Sequence, residues 1–142
     1  MATLAVDVVR DYEYSGEDLY NDLPVIAADI IYEGAAVGEN GSGYVRPLVA
    51  GDVFSGFAQR QVDNSAGAAG DKNVRVRSKG LAKLTVAGLN TVANGNDGTP
   101  VYASDDATFT LTAGGNSLIG RTQRFVASGV GIVYFEATTI QV

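Results

Sequence analysis

Apolar and polar residues alternate over short runs in this chain, and Gly, Asn and Asp interrupt those runs at close intervals. A period of two puts successive side chains on opposite faces of a strand, whereas a helix needs recurrence every three to four residues. Helical periodicity is weak throughout, with no amphipathic stretch longer than two turns. Strand-like runs cover residues 4–9, 24–32, 44–48, 53–60, 73–86, 100–104, 108–112, 118–127 and 130–137. This spacing predicts an all-β fold: a compact single-domain β-sandwich or barrel of short antiparallel strands with an N-terminal extension. Residues 15–20 ("SGEDLY") are expected to hold one capped helical turn, because Ser15 and Asp18 stand at capping-box spacing.

A chain of 142 residues fits one domain, and 46% hydrophobic against 18% charged residues is enough for a packed core. Cysteine is absent, which excludes disulfides, thiolate nucleophiles and cysteine-ligated metals. Histidine is absent too, so the commonest general base and the commonest metal ligand are both missing. Catalysis would have to rest on carboxylates, lysine, tyrosine or a bound cofactor. A net charge of −6 disfavours nonspecific nucleic-acid binding, which requires a basic face. The start, "MATLAVDVVRDYEY", lacks a basic region and its apolar run breaks at Asp7, so no signal peptide is expected. No run approaches the roughly 20 apolar residues of a membrane span. The expectation is a soluble protein made in a cytoplasm, with no membrane partner.

Charge is distributed unevenly. Residues 1–22 carry Asp7, Asp11, Glu13, Glu17, Asp18 and Asp22 against Arg10 alone, interleaved with Tyr12, Tyr14 and Tyr20. They read as an acidic, Tyr-rich arm or edge segment beside a β domain of residues 23–142. Such a segment is either a solvated edge or an arm lying on a partner, with the tyrosines as amphipathic anchors. The basic counterpart is "KNVRVRSKGLAKL", residues 72–84. Strand alternation places Arg75, Arg77 and Lys79 on one face and Val74 and Val76 on the other. Gly80 is expected to mark a bulge. The stripe is either a surface strand or a face that meets an acidic neighbour. Tyr12, Tyr14, Tyr20, Arg75, Arg77 and Lys79 are accordingly the candidate protein-interface residues. Nucleic acid fits poorly, because no aromatic residue interleaves the stripe to stack on bases.

Several stretches imitate catalytic or binding motifs and fail in detail. "SAGAAGDK" (65–72) has Ser65 where a phosphate loop needs glycine, and Asp71 would point an anion at the phosphate. "GSGYVR" and "GVGIVY" begin like dinucleotide fingerprints but carry Arg46 and Tyr134 at the last glycine position. "GNSLIG" (115–120) exceeds a nucleophile elbow by one residue, and no histidine exists to activate Ser117. "NGNDG" (94–98) lacks calcium-loop spacing and reads as a turn.

The adjacent carboxylates Asp105 and Asp106, in "VYASDDATFTLTAGGNSLIGR", raise the question of a catalytic dyad. Adjacent strand residues point to opposite faces, whereas a dyad must converge across a pocket. The stretch is expected to form two linked hairpins, with Asp105-Asp106-Ala107 and Ala113–Asn116 as the reversals. No catalytic residue, metal ligand or cofactor site is expected.

Residues 31–136 resemble the small tailed-phage capsid decoration proteins, also described as capsid cement or head stabilisation proteins. The pieces that carry the resemblance are "GDVFSGFA", "VDNSAGAAGD", "VRVRSKG", "GTPVYASDD" and "NSLIGR". The resemblance implies a compact β protein on the outer surface of an icosahedral head, trimeric and bridging subunits of the major capsid protein. It brings no catalytic residues. Two other readings compete with it: a phage surface or tail adhesin built around exposed tyrosines, and a carboxylate-only hydrolase.

Overall fold

The computed structural model describes residues 4–13 and 18–137. Strands make up 54% of the fold and helix 4%, and the centre is a five-stranded mixed β-barrel with further strands attached. In chain order the strands are β1 (Asp11–Glu13), β2 (Leu19–Pro24), β3 (Asp29–Ile31), β4 (Ala36–Glu39), β5 (Val45–Pro47), β6 (Val53–Ala58) and β7 (Val62–Asn64). Then follow β8 (Asn73–Ala87), α1 (Val92–Asn96), β9 (Pro100–Ala103), β10 (Phe109–Thr110), β11 (Ser117–Ala127) and β12 (Val130–Glu136).

The barrel runs β10-β9-β11-β12-β8 and closes where β10 pairs with β8. That last pairing, Phe109 with Val86 and Thr110 with Ala87, is parallel, while the other four are antiparallel. Closure satisfies backbone groups that an open sheet would leave exposed. The 15-residue β8 outlasts the barrel and carries the same sheet on through β6, β4 and β5, while β3 and β7 form a separate two-stranded sheet. Both edges of β8 are occupied. Lys83 has Asp11 of β1 on one side and Ile132 of β12 on the other, and Arg77 has Tyr20 of β2 and Phe57 of β6.

Burial along β8 alternates without a break from exposed Asn73 to exposed Ala87, as the period-two sequence requires. The inward residues serve two cores. Ala82, Leu84 and Val86 join Phe109, Ile119, Val133 and Phe135 of the barrel strands and Phe54 and Phe57 of β6 in one core. Val74 and Val76 join Val25, Ile31, Val37, Val45 and Ala58 in a second core beside the β8-β6-β4-β5 extension. Phe57 makes edge-to-face contacts with Phe135, Phe54 and Phe109 at centroid distances of 4.9, 5.5 and 5.8 Å. Such pairs contribute about 0.5–1.5 kcal/mol each beyond the area they bury.

The structure corrects several local expectations. Residues 4–9 form no ladder; they cross the surface as an extended strap, held by Val8 N–H to Glu33 O (2.8 Å) and Glu33 N–H to Asp7 Oδ1 (2.9 Å). The run 24–32 is not one strand: Ala27 and Ala28 turn between β2 and β3, with Ala28 at φ 58°. β4 and β7 were not anticipated; each is short and borders a Gly- or Asn-containing turn. In the expected helical turn of residues 15–20, Leu19 and Tyr20 belong to β2 and residues 15–17 lie outside the described residues. β10 and β11 do not pair with each other but flank β9 on opposite sides, so the second hairpin does not exist. Gly80 causes no break in the β8–β12 ladder. The irregularity lies in β2–β8, between Leu19 and Tyr20, opposite Ser78.

The expected turn at residues 94–98 is the end of the five-residue helix α1. Thr91 caps it by accepting from Asn94 N–H, and Asn94 Oδ1 in turn accepts from Thr91 N–H. This is the reciprocal pattern of a capping box, with Asn in place of Glu or Gln. Gly95 lets α1 lie against β11, since a Cβ there would stand 2.5 Å from Phe125 Cβ.

Candidate interaction surface

The acidic N-terminal residues and the basic face of β8 meet within one chain. Arg75 Nε and Nη2 donate to the two carboxylate oxygens of Asp22 at 3.0 and 3.1 Å. Arg77 Nη1 stands 3.3 Å from Asp18 Oδ1, Lys79 Nζ 3.6 Å from Glu136, and Arg124 Nη2 2.6 Å from Glu13. Antiparallel register explains the first two contacts. β2 sets Asp22 directly opposite Arg75 and brings its first residues past Arg77 and Lys79. Arg75 and Arg77 of the basic stripe therefore meet acidic residues of their own N-terminal segment, while Lys79 meets Glu136 of β12.

Arg77 is the most enclosed member. Its guanidinium lies 3.9 Å from the Tyr12 ring centre and 5.2 Å from that of Tyr20. Its Nε is buried without a hydrogen-bond partner. Gly80 makes room for this arrangement, because a Cβ at that position would stand 2.8 Å from Asp18 Oδ1 and 3.4 Å from Arg77 Cδ. Tyr12 is half-buried, packs on Phe135 at 6.0 Å, and accepts from Gln59 Nε2 at 3.3 Å. Burial raises its phenol above the ordinary value, against the opposing effects of Gln59 and the nearby Arg77 and Arg10 charges.

The Arg75 hydrogen bonds hold Asp22 below the usual carboxylate range, and the same contact raises Arg75. The Glu13 hydrogen bond likewise raises Arg124. Of the six candidate interface residues, Arg77 and Tyr12 are committed to the fold, and Arg75 and Lys79 are paired. Tyr20 is 51% exposed and Tyr14 lies outside the described residues. Sequence reasoning missed the groove beside Tyr20. It has a volume of about 370 Å³ and is lined on its apolar side by Leu19, Leu23, Val45, Val53 and Ala137. Leu19, Tyr20 and Val53, all on its wall, are among the exposed large apolar residues. Its walls come from β2, β4, β5, β6 and β8, which include segments remote in sequence. In a larger polar depression of about 560 Å³, Arg60, Asn73 and Gln59 surround the Arg75–Asp22 pair.

The residues that imitated chemistry hold loops together. Asp105 Oδ1 accepts from Ala107 and Thr108 N–H, both at 2.8 Å, which is the turn expected of it. Asp106 differs: it is fully buried, its carboxylate accepts from Leu4 N–H at 3.3–3.4 Å, and its carbonyl accepts from Ala36 N–H. Its charge also favours the cationic form of Arg10, which burial disfavours more strongly. Arg10 Nε donates to Gly34 O at 2.7 Å, and its guanidinium lies over Phe57 and Phe109 at 5.5 and 5.3 Å. Lys72 Nζ donates to Asp63 O at 2.7 Å, and Ser117 Oγ accepts from Gly51 N–H at 3.1 Å. Asn96 Oδ1 accepts from Phe125 N–H at 2.8 Å. Among the described residues, no group of three or more Asp or Glu side chains is placed to hold a metal ion, and no helix is long and apolar enough to cross a membrane. No protein-family profile matches the chain, and no curated protein matches it.

Proposed function

We propose that this chain is a structural virion protein that decorates the outer surface of a phage head and stabilises it by bridging major capsid protein subunits. The observation that carries the reading is the correspondence between the resembling span and the folded body. Residues 31–136 run from the end of β3 to the end of β12. "GDVFSGFA" is a turn and β6, "VRVRSKG" opens β8, "GTPVYASDD" is β9 with its turn, and "NSLIGR" leads into β11. The similarity thus follows the order of the strand and turn framework rather than a single local motif.

In this role the chain works by binding free energy alone, as a non-enzymatic trimer without cofactor, with the capsid protein as partner. Repeated copies on a symmetric lattice add through avidity. The groove at Leu19 and Tyr20 favours a second reading, a surface or tail adhesin whose exposed tyrosine contacts a host ligand. Adding the purified protein to heads that lack it separates the two. The decoration reading expects saturable binding and a higher head-disruption temperature. Binding to host cells but not to heads would favour the adhesin.

A further inference from the structure

We propose that the N-terminal segment, its described residues 4–13 and 18–24, is a separable strap that opens from β8 as one unit while the barrel stays folded. Three observations carry this. The β10-β9-β11-β12-β8 ring closes using no residue before Asn73. Among the described residues, every fully buried apolar side chain lies at Val25 or later; Leu4, Tyr12 and Leu23 pack only partly against the cores. Finally, the strap pairs with one edge of β8, whose other edge is held by β12 and β6.

Lifting the strap breaks one set of ladder bonds, the contacts of Arg10 and Tyr12 with Phe57, Phe109 and Phe135, and the Leu4 bond to Asp106, but leaves the barrel ring closed. Regions with few buried apolar contacts open below the global unfolding free energy. Two of the ion pairs that fasten it are solvent-exposed. Arg75 and Asp22 side chains are 59% and 51% accessible, and Arg124 and Glu13 are 54% and 38%. Salt screens such pairs, so strap opening responds to ionic strength more than barrel opening does. The uncovered edge, residues 73–83, carries free N–H and C=O groups that can template a strand of another chain. The proposal does not depend on the decoration reading.

Native-state hydrogen exchange on the full chain tests it. Amides donated across β1–β8 and β2–β8 should share one opening step, with protection at least about tenfold below that of the β11–β12 ladder. That protection should fall between low and high salt while the β11–β12 amides hold theirs. Because Asp22 and Arg75 are direct cross-strand partners and the chain has no cysteine, a D22C/R75C variant can be locked by a disulfide. Locking should raise protection of the strap amides and leave the β11–β12 amides unchanged. Strap and barrel amides exchanging together in the wild-type chain, at either salt concentration, would overturn the proposal. So would a lock that protects both sets equally.

Discussion

Arg77 stacks its guanidinium 3.9 Å from the centre of the Tyr12 ring, joining the long central strand to the segment laid across it. Arg77 also pairs with Asp18, and its side chain is only 14% accessible, so neither partner is well hydrated. The Arg77→Ala change removes the stack and leaves Asp18 without this partner, which should cost about 2–3 kcal/mol. Arg77→Lys keeps the charge but loses the planar contact and should cost about 1 kcal/mol. Urea denaturation of both variants checks the order.

Asp22 and Arg75 have similar chemistry in water rather than under a ring. Their double-mutant cycle should show coupling that is clearly smaller than the Arg77 effects and that fades in high salt.

Asp105 and Asp106 should separate sharply, although they are neighbours. Asp105→Asn keeps the Oδ1 acceptor of the turn and should shift stability by less than about 1 kcal/mol. Asp106→Asn removes a buried charge that holds Leu4 N–H and balances Arg10, and should cost about 1–3 kcal/mol. Equal effects in a thermal melt would contradict the assignment of one residue to a turn and the other to the interior.

Gly95→Ala reverses the usual helix rule. Alanine is normally the better helix former, but its Cβ here would stand 2.5 Å from Phe125 Cβ. The variant should be destabilised by about 1–3 kcal/mol through overpacking, measured by chemical denaturation.

Stability should decline at both ends of the pH scale. Asp22 is held below its ordinary value, so its contribution is complete above the unfolded carboxylate pKa of about 3.9 and disappears as pH falls through the lower folded value. Tyr12 is raised, so its contribution is complete below about pH 10 and disappears as pH climbs through the higher folded value. Denaturation midpoints from pH 2 to pH 11 should fall at both extremes, and Tyr12→Phe should weaken the alkaline fall.

The legible parts of this fold were those set by local physics. Alternation in Asn73–Ala87 announced a half-buried strand with Arg75, Arg77 and Lys79 on one face, and the polar Asp105 turn needed only its own neighbours. What required three dimensions was hidden. The β10–β8 pairing joins residues more than 20 positions apart, and two residues per strand leave no period to read. Asp106 looks like its neighbour in sequence; only Leu4 and Ala36, brought in from elsewhere, make it interior. The charge asymmetry between the N-terminal segment and β8 was plain, but composition does not say whether opposite charges meet within one chain or between two. Antiparallel register decides this, by placing Asp22 opposite Arg75 in the same molecule.

The most direct test of the decoration reading is a reconstruction of the mature phage particle, with the ratio of this chain to the major shell protein measured on the same preparation. A decoration protein should appear as the five-stranded barrel on the outside of the head, in symmetric contact with several shell subunits and in a fixed stoichiometric ratio. Heads carrying no density for this chain, or density confined to the tail, would contradict it.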